Sequence, residues 1–281
     1  MSPTPPSALD VHALAHADVV PERDATERLS RVFGAGELHA TLLALLLPPG
    51  SKRAVRAWQI ETEALVGADP LRHHVGELSG AARLPWFERL LSRTSAQPLA
   101  VRQELLKAAR RVMGARGVAR PVDRLHWLAM RRACGEVMPL AARPDVNADV
   151  AEWLESDVLD VAAYTAFLSR MVPGDEADSA QGKGWYDAVM TTWQPFAEVP
   201  AWQPPASAGM VEALGRLQTL SWMQRPVVIK NWVACAIRLS NRGRLSDLSA
   251  DALRLTCGLL DSPEPPELAR HYVTLADEPL R

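Results

Sequence analysis

Apolar residues recur at intervals of three and four along almost the whole 281-residue chain. This spacing places them on one face of an α-helix, with charged residues on the other faces. In the segment 100–113 the apolar residues at this spacing are Val101, Leu105, Ala108 and Val112. No two alternating segments are joined by a turn of the kind that a β-hairpin requires. The pattern predicts an all-α fold, a compact multi-helix array.

Changes in charge and proline content predict three parts of the chain. Residues 1–20 form a loose N-terminal segment, residues 21–138 a basic helical half, and residues 139–281 an acidic-to-neutral helical half. The last part includes a Trp- and Pro-rich loop at 194–205, and the two halves could also form one continuous domain. Helices are predicted over residues 22–33, 36–47, 51–67, 70–79, 84–93, 100–113, 121–134, 150–171, 183–193, 208–222, 226–240, 247–260 and 264–275.

Three features of the chain predict a cytoplasmic protein. The longest aliphatic run, Leu42 to Leu47, is far shorter than the roughly 20 residues that cross a bilayer, so it indicates a buried helix. The N-terminus lacks the basic and apolar stretches of a secretory signal. The three cysteines are widely spaced, which is typical of reduced thiols that pack as small apolar residues.

The net charge of −2 is the sum of two opposed segments. Residues 52–132 contain 16 Lys or Arg against 7 Asp or Glu, whereas residues 133–215 contain 3 against 13. Two interpretations of these charges are open: they form solvated helix faces, or the basic segment binds an anionic membrane surface. A pI near 6.4 argues against nucleic acid as the partner. The candidate residues for an anionic surface are Arg102, Lys107, Arg110, Arg111, Arg116, Arg120 and Arg124.

Eight of the nine Trp residues fall into two groups. One group lies in helical apolar stripes and is predicted to be core: Trp58, Trp127, Trp153, Trp222 and Trp232. The other lies around the Pro-rich segment 194–205, which is interpreted as an ordered wrap rather than a peptide-like ligand. Aromatic residues here either pack in the core or bind a protein partner. The candidate partner-binding residues are Trp185, Trp193, Phe196 and Trp202.

Motifs for catalysis are missing from the chain, and no cofactor or small-molecule substrate is predicted. A zinc peptidase of the HExxH class needs two His at positions i and i+4 and a Glu as general base. The nearest string is His12 to His16, with Ala13 at the base position, so His12 and His16 are weak metal candidates. The string Gly182-Lys183-Gly184 lacks the frame of a phosphate-binding loop and is predicted to be a turn.

Two segments repeat one pattern of helix, Arg-Gly turn and helix. They run from Leu105 to Met130, with Arg116-Gly117 at the turn, and from Trp232 to Asp261, with Arg242-Gly243. Glycine fits such a turn because a helix often ends in a left-handed residue. The pattern predicts two related helical hairpins.

Four parts of the chain resemble part of a known protein family. They are the first hairpin and the segments Ala35 to Pro70, Arg83 to Leu91 and Ala250 to Leu268. That part is the soluble C-terminal helical region of bacterial membrane zinc metallopeptidases of the HtpX type. Both hairpins are also similar to TerB-like helical units. The resemblance implies an all-α module that acts beside a membrane-linked peptidase and lacks the peptidase motif itself.

The turns depart from the pattern of that family. Relatives usually carry Asp-Gly-x-Val with a Glu six residues after the Gly, whereas this chain has Arg116 and Arg242 at the Asp positions. Asp123 and Ser249 stand at the Glu positions. A hard cation needs oxygen ligands, so a role of these acids as metal ligands or helix caps is expected to be largely lost.

Together these observations predict a non-catalytic interaction or scaffold protein that acts with a protein partner, within a membrane-linked peptidase complex. One alternative is a part or derivative of the metallopeptidase that contributes stability or substrate access. Another is a TerB-like metal or stress-response module. Peripheral attachment to the inner membrane is an open alternative to a purely cytoplasmic location.

Overall fold

The computed structural model describes residues 22–135, 152–174 and 179–276. These residues contain helices and no strands, which confirms the predicted all-α fold. They fold as two compact units: unit 1 contains residues 22–117 and 273–276, and unit 2 contains the described residues between 118 and 272. The predicted N-terminal segment and the predicted boundary at 138 lie outside the described residues.

Unit 1 is built around one helix that is buried on most of its sides. Its helices are α1 over residues 22–30, α2 Ala35–Leu45, α3 Lys52–Thr62, α4 Ala68–Glu77, α5 Gly80–Thr94 and α6 Leu99–Gly114. Helix α2 packs against α3, α4, α5 and α6. Helix α2 suits such a central position because apolar residues occupy most of its circumference, especially from Leu42 to Leu45. The predicted burial of the aliphatic run is therefore confirmed.

In unit 2, helix α8, Glu155–Leu168, is buried over most of its length. The helices of this unit are α7 Pro121–Ala133, α8 Glu155–Leu168, α9 Ser179–Met190, α10 Ser207–Leu217, α11 Gln224–Leu239, α12 Asp247–Leu259 and the single turn α13 Pro266–Ala269. Helix α8 packs against α9 and α10, while α12 packs against α7 and α11. The predicted helix at 264–275 is thus much shorter than expected, and α8 begins later than residue 150.

Buried hydrogen bonds join the central side chains of unit 2. The Trp232 indole Nε1 donates to Thr165 Oγ1 at 2.8 Å, and the Trp185 indole donates to the Trp232 carbonyl at 3.3 Å. The hydroxyls of Tyr164 and Thr256 lie 3.1 Å apart. Burial raises the pKa of Tyr164, so its hydroxyl stays neutral. The polar side-chain atoms of these five residues therefore have partners, as a low-dielectric interior favours.

The α6–α7 and α11–α12 turns share the position of a left-handed glycine, although Arg242 also has a positive φ and Arg116 does not. Gly117 and Gly243 both have positive φ, at 91° and 69°, and each lies three residues before the residue that caps the following helix. At the third position of α7, Asp123 accepts the backbone N–H of Arg120 at 2.9 Å. The expected loss of a helix-cap role is therefore wrong for Asp123. That the two segments are related hairpins stays a prediction.

Arginine side chains close several helix C-termini. Arg93 donates to the carbonyls of Leu29, Ser30 and Val32 at the end of α1. In unit 2, Arg132 donates to the carbonyls of Gly258 and Leu259, and Arg225 to those of Leu220 and Leu260. The last carbonyls of a helix lack intrahelical donors and carry partial negative charge, so a guanidinium satisfies both deficits.

The predicted turn at Gly182-Lys183-Gly184 is wrong, because these residues lie inside α9. Gly182 is buried beside the Ser169 carbonyl that follows α8, so the missing side chain permits close packing of the two helices. No helix within the described ranges is long and apolar enough to cross a bilayer.

Replacing Arg242 by glycine is expected to stabilise the protein by about 0.5–1 kcal/mol. Arg242 has φ 58°, a left-handed conformation that strains an L-residue with a Cβ. Urea unfolding of Arg242→Gly beside Gly243→Ala measures the effect, since the alanine variant introduces the same strain at φ 69°. Equal stability of the two variants would contradict the prediction.

Candidate functional site

Three aromatic side chains of unit 2 form a cluster that reaches the surface, called here the aromatic site. Trp153 precedes α8, and its ring makes an edge-to-face contact with Trp193, with 4.6 Å between the ring centroids. The Phe196 ring also lies near Trp193, with 6.2 Å between the ring centroids. Trp193 is only 3% exposed, Trp153 is half-buried, and Phe196 is 50% exposed. The aromatic site thus has a buried base and an exposed edge.

The indole N–H of Trp193 has no acceptor among the described residues. An unpaired buried donor costs about 1–3 kcal/mol, because its hydration is lost without replacement. The sequence segments that supply the three rings are acidic: Glu152, Glu155 and Glu198 are exposed beside them. Neither 152–169 nor 184–215 contains a Lys or Arg.

The Pro-rich segment 194–205 is held against unit 2 at two points. The Tyr186 hydroxyl donates to the Pro200 carbonyl at 2.7 Å, and the Trp202 indole donates to Ser169 Oγ at 2.8 Å. Burial raises the pKa of Tyr186 to about 12, so the hydroxyl remains a donor at neutral pH. These bonds confirm the interpretation of the segment as an ordered wrap.

The structure brings together only some of the predicted partner-binding residues. Trp193 and Phe196 meet in the aromatic site, whereas Trp185 is fully buried and Trp202 serves as an anchor of the wrap. For Trp185 the core alternative is therefore the correct one. Trp153 was expected in the core, and its place in the aromatic site had no sequence signal, since some 40 residues separate it from Trp193.

Of the five Trp residues predicted to be core, Trp58 and Trp232 are buried, Trp127 and Trp153 are half-buried, and Trp222 is 76% exposed. The prediction is therefore wrong for Trp222. The residue lies in the turn before α11, outside the apolar stripe of that helix. The sequence Ser221-Trp222-Met223-Gln224 carries the S-x-x-Q signature of a helix start, and that signal could have placed it there.

Several predicted anionic-surface residues already have partners within the protein. Lys107 pairs with Glu104, Arg111 with Glu61, and Arg120 with Asp123, while Arg102 donates to the Gln97 carbonyl. Arg110 is exposed, and Arg116 and Arg124 are half-buried. Arg120 and Arg124 belong to unit 2 and the other five to unit 1. Intramolecular pairing reduces the charge that these residues offer to an anionic surface.

A half-buried histidine lies beside an ion pair in unit 1. Arg111 of α6 donates two hydrogen bonds to Glu61 of α3, and this contact lowers the pKa of Glu61. His39 of α2 senses the charges of Glu61, Arg111 and Glu104, but burial has the larger effect and lowers its pKa. Its Nε2 has no hydrogen-bond partner among the described residues. His39 is therefore neutral at neutral pH.

Acidification is expected to destabilise the protein through His39. At high pH the residue is neutral in both states and contributes nothing. As the pH falls through 6.5, the ordinary pKa of histidine, the unfolded chain takes up a proton at His39 before the folded chain does. The free energy of unfolding therefore decreases as the pH decreases. We expect His39→Gln to show a smaller drop in melting temperature between about pH 7.5 and about pH 5.5. Parallel pH profiles of variant and wild type would rule out this role.

The cleft between α3 and α4 gives weaker support for a ligand site than the aromatic site does. This cleft of about 500 Å³ in unit 1 lies beside Trp58, Glu63 and Asp69. Asp69 is 3.6 Å from Arg72, whose guanidinium lies over the Trp58 ring, so the chain itself supplies a cation there. Among the described residues, no group of three His, Cys, Asp or Glu side chains could hold a metal ion. The predicted metal candidates His12 and His16 lie outside the described residues.

The three cysteines are buried in the structure. Burial raises the pKa of Cys235 and so disfavours its thiolate.

Comparisons of the chain with protein-family models, with curated proteins and with solved structures found no match.

Proposed function

We propose that the protein is an interaction module that uses the aromatic site of unit 2 to bind a basic, apolar segment of a protein partner. The observation that carries this proposal is the exposed edge of a cluster whose base is a buried Trp. Phe196 and Trp153 present apolar area at the surface, above Trp193. Aromatic residues dominate the binding energy of protein interfaces when they lie in well-packed positions.

The charges around the aromatic site favour a cationic partner. Glu152, Glu155 and Glu198 are exposed, and the two segments that supply the rings contain no cation of their own. Complementary charge raises the rate of association and selects among apolar partners. A Lys or Arg of the partner would also meet electron-rich aromatic faces.

The aromatic site is held in place before a partner arrives. Tyr186 and Trp202 attach the segment that carries Phe196, and the Asp157 carboxylate accepts the N–H of Leu154 at 3.0 Å beside Trp153. A site that is already ordered loses less conformational entropy on binding. This arrangement supports binding by a preformed surface.

Photo-crosslinking from position 196 tests the proposal. A photoreactive phenylalanine analogue at Phe196 is expected to yield a crosslinked protein in native cells, and mass spectrometry is expected to map the linkage to a basic, apolar segment. Purified partner should then bind Phe196→Ala about tenfold to a hundredfold more weakly than wild type. Trp222→Ala, which removes an exposed Trp outside the aromatic site, should bind normally.

The analogue at Val66, a fully exposed residue of unit 1, is the control for nonspecific crosslinking. Equal products from both positions, linkage to an acidic segment, or unchanged affinity of Phe196→Ala would each overturn the proposal. A partner within a membrane-linked peptidase complex stays a prediction from the sequence resemblance. No described contact favours the peptidase-derived or metal-module alternatives over an interaction role.

A further inference from the structure

Helix α11 has a second surface that the aromatic site does not use. Its buried side packs in unit 2, while the opposite side is open along all four turns. The residues on the open side, called here the α11 face, are Met223, Val227, Lys230, Ala234, Ile237 and Arg238. Trp222 directly precedes Met223 in the chain and is 76% exposed.

The α11 face combines apolar and cationic residues without any carboxylate. Met223, Val227 and Ala234 form a line along the helix, and Lys230 and Arg238 lie about 40° to either side of it. No Asp or Glu occurs anywhere in α11. Long basic side chains can lie along such a line and extend their charges past the apolar residues.

The turn that presents Trp222 is tightly hydrogen-bonded. Gln224 Oε1 accepts the N–H of Ser221 at 3.0 Å, and Ser221 Oγ accepts the N–H of Gln224 at 3.2 Å. Arg225, which is buried, donates to the carbonyl of Leu220 beside this turn. An exposed indole on a reciprocal capping box is held outward by the backbone, rather than carried on a free loop.

We propose that the α11 face, with Trp222, is a site at which the protein lies on an anionic lipid bilayer. The indole and the apolar line would enter the headgroup region, and the two cations would meet anionic headgroups. This is the pattern of interfacial helices, which combine Trp and aliphatic residues with flanking Lys or Arg. The proposal is independent of the partner site, because it uses different residues of unit 2.

A bilayer fits the α11 face better than an acidic protein does. A projecting Trp at a protein interface gains its energy from a matching pocket on the partner. A lipid interface accepts an indole without any matching pocket, and Trp concentrates in that region of membranes. Lys230 and Arg238 require only diffuse negative charge, which a leaflet of anionic lipid supplies.

Vesicle flotation tests this site. The full chain is mixed with vesicles of phosphatidylcholine and phosphatidylglycerol, or of phosphatidylcholine alone. Wild type is expected to float with the anionic vesicles and to remain free of the neutral ones. Trp222→Ala should lower the partition coefficient about tenfold. Lys230→Gln and Arg238→Gln should each lower it about fivefold.

Phe196→Ala serves as the matched control, because it truncates an exposed aromatic residue of the aromatic site and should float as wild type does. Since Trp222 is exposed, its variant should keep the wild-type melting temperature. Three results would overturn the proposal: no flotation of wild type, equal flotation of Trp222→Ala, or equal binding to neutral vesicles. If wild type did not float, and a photoreactive residue at position 222 yielded a crosslinked protein, the α11 face would be assigned to a protein partner instead.

Discussion

Replacing Gly182 by alanine is expected to destabilise unit 2 by about 3 kcal/mol or more. A Cβ at this position would collide with the backbone carbonyl oxygen of Ser169. That oxygen belongs to the end of α8, the central helix of unit 2, so it cannot move aside as a flexible side chain would. Relief requires α9 to shift away from α8, and the shift would open the packing around Trp185, which is fully buried on α9.

Gly184 provides the control for this substitution. It lies in the same helix and is exposed, and a Cβ added to it would meet no atom within 4 Å. Gly184→Ala is therefore expected to stabilise α9 by about 0.5–1 kcal/mol, through higher helix propensity alone. Urea unfolding followed by far-ultraviolet circular dichroism measures both variants. If they changed the free energy of unfolding in the same direction, the close approach at Gly182 would not be the controlling factor.

Local sequence pattern was sufficient for the fold class and for much of the core. The burial of α2 followed from an aliphatic run that ends at proline, and Trp58 and Trp232 followed from their places in apolar stripes. These inferences succeed because the period of a helix determines which residues share a face. The wrap at 194–205 was also predictable, since aromatic residues among prolines indicate an attached segment.

Other features depend on contacts between distant parts of the chain, and no local pattern reports such contacts. The aromatic site requires Trp153 to meet Trp193, and the close approach at Gly182 requires the end of α8. Glycine inside α9 lowered the local helix signal, although packing overrides propensity there. For Trp222, helical periodicity was extended one turn too far, into a capping turn that points the side chain outward.

The roles of the arginine residues also depend on contacts that the sequence does not report. Counting charges along the sequence treats every guanidinium as part of a surface. In the structure Arg93, Arg132 and Arg225 instead bind the carbonyls that end neighbouring helices. Composition cannot separate these roles, because both use the same side chain. The distinction depends on which helix end lies within reach.

Replacing Arg225 by methionine is therefore expected to cost about 2–4 kcal/mol, although it removes a buried charge. Arg225 Nε donates to the Leu220 carbonyl at 2.9 Å and one terminal nitrogen donates to the Leu260 carbonyl at 2.7 Å. Methionine fills similar space but leaves both oxygens without these donors. It also removes the positive charge from the C-terminus of α12, where Leu260 is the capping residue.

Two further variants separate the lost hydrogen bonds from the lost charge. Arg225→Lys keeps the charge but cannot donate in two directions from one rigid plane, so it should lose about half as much stability. Arg170→Met removes an exposed arginine after α8 and should change the free energy of unfolding by less than about 0.5 kcal/mol. Wild-type stability of Arg225→Met would mean that water satisfies both carbonyls, and that arginine caps contribute little to unit 2.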